Sequence, residues 1–292
     1  MAQRHTNTQM FALERPPPET IEIRGQHYRL VRVFKHDFFA ATCLYEATGG
    51  PAAFPRVVVK FGRTRGFCGL PSAGLGRLMR AHEQAIYGAL EGVAGVPRWV
   101  GCIGQAGYAI EYVDGVPLDH LDVPPEGFFE RLREVFDEIH ARGVGYCDAN
   151  KRSNILVGPG GRPFLVDYQL SLRRRDDWCR PLRALTRRAI EYVAERDLYH
   201  LYKHKRRAFP DDLTPEEDAL SRRRGGMHWV HRKLTKPWRT FRRRFLSRQY
   251  EQGRLASPTA ELEDHYQPEK ATWRKDEKTE DAGHGPQPDR PD

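Results

Sequence analysis

The chain has 292 residues, of which 39% are apolar and 30% charged, so it is long enough to bury the core of one two-lobed domain or of two small ones. This composition excludes collagen-like chains, coiled-coil arrays and wholly disordered chains. Lysine and arginine exceed aspartate and glutamate by 48 to 39, which gives a net charge of +9 and favours an anionic partner.

No segment predicts export or membrane insertion. Apolar runs such as Phe38–Ala41 are far shorter than the ~20 residues that cross a bilayer. Residues 1–14 lack the basic and apolar regions of a signal peptide. The five cysteines are odd in number, scattered and without a C-x-x-C pair, so neither a disulfide framework nor a zinc knuckle is indicated. We therefore expect a cytoplasmic protein.

The first lobe is predicted to be a sheet with one inserted helix. Residues 1–20 are polar, end in Pro16–Pro18 and are predicted to be an unstructured lead-in. From there to residue 113, short segments rich in Val, Ile, Phe or Tyr predict strands, and three- and four-residue apolar spacing predicts a helix over Ala73–Gly92. The strands are predicted at Ile21–Ile23, Tyr28–Phe34, Ala40–Tyr45, Arg56–Phe61, Trp99–Ile103 and Tyr108–Val113.

The second lobe, residues 114–220, is predicted to be mainly helical. An apolar stripe predicts a helix from Phe128 to about Gly143, and two short strands then face each other across a glycine-rich turn. A helix over Leu182–His204 and another that begins at Thr214 complete the lobe. The predicted fold class is therefore α+β, with an antiparallel sheet in the first lobe and helices in the second.

The last two segments differ from the rest in composition. Residues 221–250 form a basic, aromatic and amphipathic segment, and its Ser221–Arg248 part contains no acidic residue. Three interpretations of this segment stay open: a helix packed on the second lobe, a contact with an anionic membrane, and, least favoured, a nucleic-acid contact. Residues 251–292 are rich in proline and acidic residues and are predicted to be a disordered tail.

Four polar residues lie at the ends of apolar strands or in the loops beside them: Lys60, Asp148, Asn154 and Asp167. In this order, and with these elements between them, they resemble the signature residues of the protein-kinase-like superfamily. Tyr146–Val157 looks like the catalytic loop with the strand after it, and Val166–Gln169 looks like a diverged D-F-G turn. The resemblance implies the two-lobed protein-kinase-like fold.

The resemblance also implies ATP and Mg²⁺ as cofactors and a role for each residue. It implies that Lys60 contacts the α- and β-phosphates, and that Asn154 and Asp167 are ligands of Mg²⁺. It places the Asp148 carboxylate beside the acceptor hydroxyl, with Lys151 reaching the γ-phosphate. Nucleotide binding would also use Glu83 as the partner of Lys60, although Glu91 is nearby, and a hinge formed by Ile110, Glu111 and Val113.

The sequence departs from the superfamily pattern in several places. No G-x-G-x-x-G lies between the first two strands, so we expect backbone amides of Phe34–Ala40 and the side chain of Lys35 to cover the phosphates. Asn154 follows Asp148 by six residues instead of five, and Tyr146-Cys147 replaces His-Arg. No A-P-E follows Asp167, and a helix is already predicted from Leu182. The chain between them therefore leaves little room for a segment that positions a peptide.

Within the superfamily, the short segment after Asp167, together with Asp197–His200 and Lys203–Arg206, resembles bacterial lipopolysaccharide-core (Kdo/heptose) kinases and RIO-like atypical kinases. That implies a kinase whose hydroxyl acceptor is a membrane glycolipid, with 221–248 lying on the inner face of the membrane. Two alternatives stay open, namely an atypical serine/threonine protein kinase and a catalytically inactive nucleotide-binding module.

Overall fold

Six strands form one antiparallel sheet in the computed structural model, which describes residues 11–64, 66, 73–175, 177 and 179–223. The strand order is β1-β2-β3-β4-β6-β5, and one helix, α1, is inserted between β4 and β5. The bounds are β1 Thr20–Ile23, β2 Gln26–His36, β3 Ala40–Thr48, β4 Arg56–Gly62, α1 Ala73–Ala89, β5 Trp99–Ile103 and β6 Gly107–Glu111.

The alternation of side chains along β4 places a charged residue on the inner face of this sheet. Val57 and Val59 point to one face, where both are fully buried among apolar residues of β1, β2, β3 and β6. Because side chains alternate across a strand, Val58 and Lys60 point to the opposite face, and both line the cleft beneath the sheet. The period of two in Val-Val-Val-Lys therefore positions Lys60 for the site.

Among its described residues, the second lobe contains three α-helices and several short strands. The main apolar cluster extends from α1 and β6 of the first lobe into this lobe, where Phe128, Leu132, Phe136 and Ile139 of α2 are fully buried. This shared core holds the two lobes around the cleft. The bounds are β7 Val116–Pro117, α2 Phe128–Ala141, β8 Val144–Gly145, β9 Ile155–Val157, β10 Pro163–Leu165, β11 Leu172–Arg173, α3 Arg180–Ala208 and α4 Pro215–Arg222.

These elements confirm the predicted α+β class, with an antiparallel sheet and one helix followed by a mainly helical lobe. The helix predicted at Thr214 begins there with a capping box, since Glu217 N donates to Thr214 Oγ1 and the Glu217 carboxylate accepts from Thr214 N. None of the helices in the described ranges combines the length and the hydropathy that a membrane span requires.

The predicted lead-in differs from the structure over residues 11–20. Phe11 and Ala12 are buried, and the Ala12 amide donates to Asp37 O at 2.8 Å. The Arg63 guanidinium donates to Phe11 O at 3.1 Å. A single aromatic residue in a polar stretch can be buried by a distant partner, which periodicity does not detect. Residues 1–10 and 224–292 lie outside the described residues, so the interpretations of 221–250 and 251–292 stay predictions.

Candidate functional site

Three predicted site residues meet at the back of the cleft between the lobes. Lys60 Nζ lies 3.0 Å from Glu83 Oε1, on α1, and 3.1 Å from Asp167 Oδ1. Glu83 is only 2% exposed, and its carboxylate also accepts from the hydroxyl of Tyr108, which lies opposite Lys60 in the β4–β6 register. The structure therefore pairs Lys60 with Glu83 and not with Glu91.

Electrostatics stabilise the charged forms of Lys60 and Asp167. Burial disfavours the charged amine, but the charges of Glu83 and Asp167 and the hydrogen bonds to them outweigh it and raise the pKa of Lys60. Burial also disfavours ionised Asp167, yet Lys60, Lys151 and Lys35 hold the pKa of its carboxyl below the usual value. A cation and an anion are thus maintained side by side at neutral pH.

Asp148 lies in the loop that follows β8 and is nearly buried. Lys151 Nζ approaches Asp148 Oδ2 to 2.6 Å, and Asn154 Nδ2 donates to the same oxygen at 3.0 Å. Both contacts use Oδ2, so Oδ1 is the oxygen left for another molecule. Burial and the charge of Asp167 raise the pKa of Asp148, although Lys151 and Asn154 oppose the shift.

Asp197 of α3 holds the backbone of the two residues that precede Asp148 in the chain. Its two carboxylate oxygens accept from the amides of Tyr146, at 2.9 Å, and Cys147, at 3.1 Å. His140 Nε2 lies 3.1 Å from the same carboxylate. Cys147 has a φ of 70°, a left-handed conformation that is uncommon for this residue type. These two hydrogen bonds hold the strained residue and thereby orient Asp148.

The short β9–β10 hairpin brings Asn154 and Asp167 together. The Val166 amide donates to Asn154 O at 3.0 Å, which places the two residues on adjacent chains at one end of the hairpin. Asp167 also adopts a left-handed conformation, with a φ of 64°. Backbone strain of this kind is concentrated at functional sites in proteins, and here it flanks both Asp148 and the end of the hairpin.

The side chains of Asn154 and Asp167 fit a magnesium ion held between protein and phosphate. Asn154 Nδ2 is committed to Asp148, so Oδ1 can face a cation, and Asp167 retains Oδ2 beyond its contact with Lys60. Mg²⁺ prefers one or two carboxylates together with phosphate oxygens and water to an all-protein site. In keeping with this, no group of three or more His, Cys, Asp or Glu side chains forms a metal cage within the described ranges.

A cleft of about 750 Å³ extends from these polar groups to the strand end of β6. Its lining includes the apolar side chains of Val58, Ile110 and Leu156, which suit a planar aromatic ring. Glu111 and Val113 line it as well. The Glu111 amide donates to Arg98 O at 2.8 Å, and the Glu111 carboxylate accepts from the Arg98 guanidinium. No acceptor for the Val113 amide lies within the described chain, so this N–H can donate to another molecule.

The turn between β2 and β3 differs from the prediction. Asp37 Oδ1 accepts from the amides of Phe39, at 2.8 Å, and Ala40, at 3.0 Å. The expectation that amides of Phe34–Ala40 cover phosphates is therefore wrong for these two groups, because a side chain within the turn already occupies them. Lys35 is at the cleft as expected, and its ammonium lies 3.0 Å from Asp37 Oδ2.

All nine sequence-predicted site residues contribute to the cleft or directly contact a residue that does. Two residues with clear structural roles were not assigned one from the sequence. Tyr108 looked like an ordinary strand residue, because its register opposite Lys60 is known only from the folded sheet. Asp197 belonged to the Asp197–His200 resemblance but was given no role, and its partners lie 50 and 51 residues away in the chain.

No protein-family model and no curated protein matches this chain. Solved structures do match it, and two are of Rio2 kinase from Chaetomium thermophilum. The Rio2 kinase–ADP/Mg²⁺–phosphoaspartate complex is 16% identical, with 65% of this chain and 60% of that chain covered and a TM-score of 0.47. The second structure is 17% identical, with 62% and 59% covered and a TM-score of 0.43. This chain thus spans less than two thirds of those proteins, and its chemistry must be argued from its own residues.

Proposed function

We propose that this protein is an ATP-dependent phosphotransferase that moves the γ-phosphate of ATP to a hydroxyl acceptor. The observation that carries the proposal is the joining of Lys60, Glu83 and Asp167 in one ion-paired group, with Asn154 lining the same cleft and Asp148 bonded to Asn154. A polyphosphate needs cations, metal ligands and a carboxylate beside the attacking group, and the cleft contains all three.

Each side chain has a place in this reaction. Lys60 and Lys35 would contact phosphate oxygens, while Asn154 and Asp167 would hold Mg²⁺, which when bound neutralises charge on those oxygens. The acceptor oxygen attacks the γ-phosphorus, the new P–O bond forms, and the bond to the β–γ bridging oxygen breaks to release ADP. Asp148 Oδ1 takes the hydroxyl proton, and Lys151 balances the charge of the transferred group.

We further propose that the acceptor is a membrane glycolipid sugar rather than a peptide. Only residues 168–179 separate Asp167 from α3, and part of that segment is committed to the β11–β8 pair. Little chain is left to present an extended peptide, whereas a sugar hydroxyl needs only the mouth of the cleft. The basic, aromatic composition of 221–248 suits a protein that works at an anionic membrane surface.

Transfer of labelled γ-phosphate tests both proposals. The full chain is incubated with Mg²⁺-ATP and, in parallel, a bacterial glycolipid extract and a generic protein substrate. We expect label in the lipid fraction that disappears with EDTA. Label in protein alone would instead support the atypical protein kinase, and nucleotide binding without transfer to either fraction would support the inactive module.

Replacing Asp167 separates metal-dependent from metal-independent nucleotide binding. We expect Asp167→Asn to weaken Mg²⁺-ATP binding at least ~10-fold, because it removes a carboxylate ligand of the metal. Affinity for ATP in EDTA should not fall, since the variant removes a negative charge near the phosphates. Calorimetric titrations in Mg²⁺ and in EDTA measure both values, and equal losses in the two media would contradict the metal-ligand role.

The raised pKa of Asp148 predicts a pH dependence. A carboxylate that accepts a proton must be ionised, so kcat should fall as the pH drops through the pKa of Asp148, at a higher pH than an ordinary aspartate near 3.8 would give. Lys151→Gln removes the contact that lowers this pKa, and the acidic limb should then move to still higher pH. Profiles of kcat against pH for both proteins check the direction, and an unmoved or oppositely moved limb would contradict the assignment.

A further inference from the structure

Two consecutive residues of α3 hold the loop that carries Asp148. Lys203 Nζ donates to Asn150 Oδ1 at 3.2 Å, and His204 Nε2 lies 2.9 Å from Ala149 O. Ala149 and Asn150 are the two residues that follow Asp148 in the chain. The ammonium group of Lys203 therefore lies beside the loop from which the proposed base projects.

Lys203 is surrounded by positive charge. Burial and the like charges of Arg207, Arg196 and Arg206 lower the pKa of this lysine. Arg196 stacks 4.1 Å above the ring of Tyr199 and donates to a backbone carbonyl. Neither of these two partners is a carboxylate that would neutralise the positive charges around Lys203. In the part of the chain that the structure describes, no carboxylate forms an ion pair with Lys203, Arg207 or Arg196.

Lys205 of the same helix shows the contrast. It points to the opposite side and forms ion pairs with Glu130, at 2.7 Å, and Glu217, at 3.0 Å. The helix thus has a neutralised cation on one side and an uncompensated group of cations on the side of the Asp148 loop. Like charges held together raise the free energy of the folded protein, and an anion bound among them recovers it.

We propose that the acceptor molecule itself carries a phosphate group, which Lys203 and Arg207 bind while the acceptor hydroxyl reaches Asp148. The inference rests on the phosphotransferase function proposed above and names the chemical class of its acceptor. Lys203 Nζ bonds to the Asn150 side chain, and the backbone of Asn150 lies at most about 7 Å from that of Asp148. A sugar phosphate carries a hydroxyl and a phosphate on one small molecule and is therefore the acceptor class, whether it is soluble or the headgroup of a glycolipid.

Lysine labelling tests the phosphate site without any requirement for activity. The full chain, saturated with Mg²⁺-ADP, is treated with pyridoxal 5′-phosphate or with pyridoxal, reduced with borohydride, and analysed by peptide mass spectrometry. Pyridoxal is mostly an internal hemiacetal, so pyridoxal 5′-phosphate reacts faster with any lysine, and the lysines of the 257–292 segment supply this intrinsic rate ratio as internal references. We expect the rate ratio of Lys203 to exceed that of the reference lysines at least ~10-fold, because the surrounding cations attract the phosphate.

Variants of the neighbouring arginines make the test specific. Arg207→Gln and Arg196→Gln should each reduce the phosphate preference at Lys203 several-fold. Arg187→Gln is the matched control, since Arg187 is an exposed residue of the same helix that pairs with Glu191 at 2.9 Å, and it should leave the ratio unchanged. A rate ratio at Lys203 equal to that of the reference lysines in the unmodified chain would overturn the inference.

Competitors distinguish the source of the phosphate. Protection of Lys203 by glucose 6-phosphate supports a soluble sugar phosphate, and protection only by phosphatidic acid vesicles, and not by phosphatidylcholine vesicles, supports a lipid headgroup. Protection only by an oligonucleotide, which has phosphodiesters and no phosphomonoester apart from its ends, would overturn the inference and indicate a nucleic-acid surface.

A kinetic comparison separates this inference from the proposed function. With the glycolipid extract as acceptor, Lys203→Gln should raise the acceptor KM at least ~10-fold and leave the KM of ATP unchanged, and Lys203→Arg should restore part of the loss. Removing phosphomonoesters from the extract with a phosphatase should abolish the difference between the variant and the unmodified protein. If transfer proceeds and the difference persists, the inference fails while the phosphotransferase function stands. If labelling succeeds without any transfer, the phosphate site at Lys203 stands, but the phosphotransferase function fails and so does the assignment of that site to an acceptor.

Discussion

We expect Asp148→Asn to lower the rate of phosphate transfer by about 10²–10⁴-fold, the range by which a positioned general base accelerates reactions. The substitution keeps the size of the side chain but removes the proton acceptor at Oδ1, which is the oxygen that Lys151 and Asn154 leave unoccupied. Transfer of labelled γ-phosphate under single-turnover conditions measures the change without interference from product release.

The same variant should keep its affinity for Mg²⁺-ATP, because the contacts assigned to the nucleotide involve Lys60, Asn154 and Asp167. Asp137→Asn is a suitable control, since Asp137 is an exposed residue of α2 that pairs with Arg133, and it should transfer at the rate of the unmodified chain. If Asp148→Asn kept more than about a tenth of the transfer rate, Asp148 would not be the base.

We expect Asp197→Ala to reduce the free energy of unfolding by about 3–5 kcal/mol, the usual cost of removing one partner from a buried charged network. The carboxylate is 1% exposed and satisfies the amides of Tyr146 and Cys147. Alanine would leave both amides unpaired in the interior and would release Cys147 from its left-handed conformation. Urea unfolding followed by circular dichroism measures the loss.

Asp197→Ala should also displace Asp148. The folded fraction of this variant should therefore transfer phosphate more slowly than the unmodified chain, and its affinity for ATP should change less than its transfer rate. Glu195→Ala provides the comparison, because Glu195 is an exposed acidic residue of the same helix and its loss should change stability by less than about 0.5 kcal/mol. Equal unfolding curves for the two variants would show that Asp197 is not a structural anchor of the loop.

The elements of the fold follow from local patterns. The valine-rich segment Arg56–Phe61 predicted β4 with Lys60 at its end, and the apolar stripe from Phe128 to Ile139 predicted α2. These predictions succeed because the period of an element is a property of neighbouring residues, and one face of each element must be buried. The capping box at Thr214 could be predicted for the same reason, since all its groups lie within four residues.

The predictions fail where a distant or unexpected partner decides the outcome. Phe11 lies in a polar stretch but is buried, and Arg63, from far along the chain, bonds its carbonyl. Asp37 lies in the turn whose backbone amides were expected to cover phosphates, yet its carboxylate accepts from two of those amides. Neither event has a periodic signature, because each depends on one side chain and on the local backbone geometry around it.

The sequence by itself determined the α+β class, the order of the main elements and the identity of the polar residues at the strand ends. Only the tertiary structure decided that Glu83 rather than Glu91 meets Lys60, and that Asp197 holds the loop before Asp148. It also decided that Lys203 contacts that loop and that, among the described residues, no carboxylate forms an ion pair with Lys203, Arg207 or Arg196. The reason is physical, because periodicity and strand propensity act over a few residues, whereas ion pairing and burial depend on which distant segments the shared core brings together.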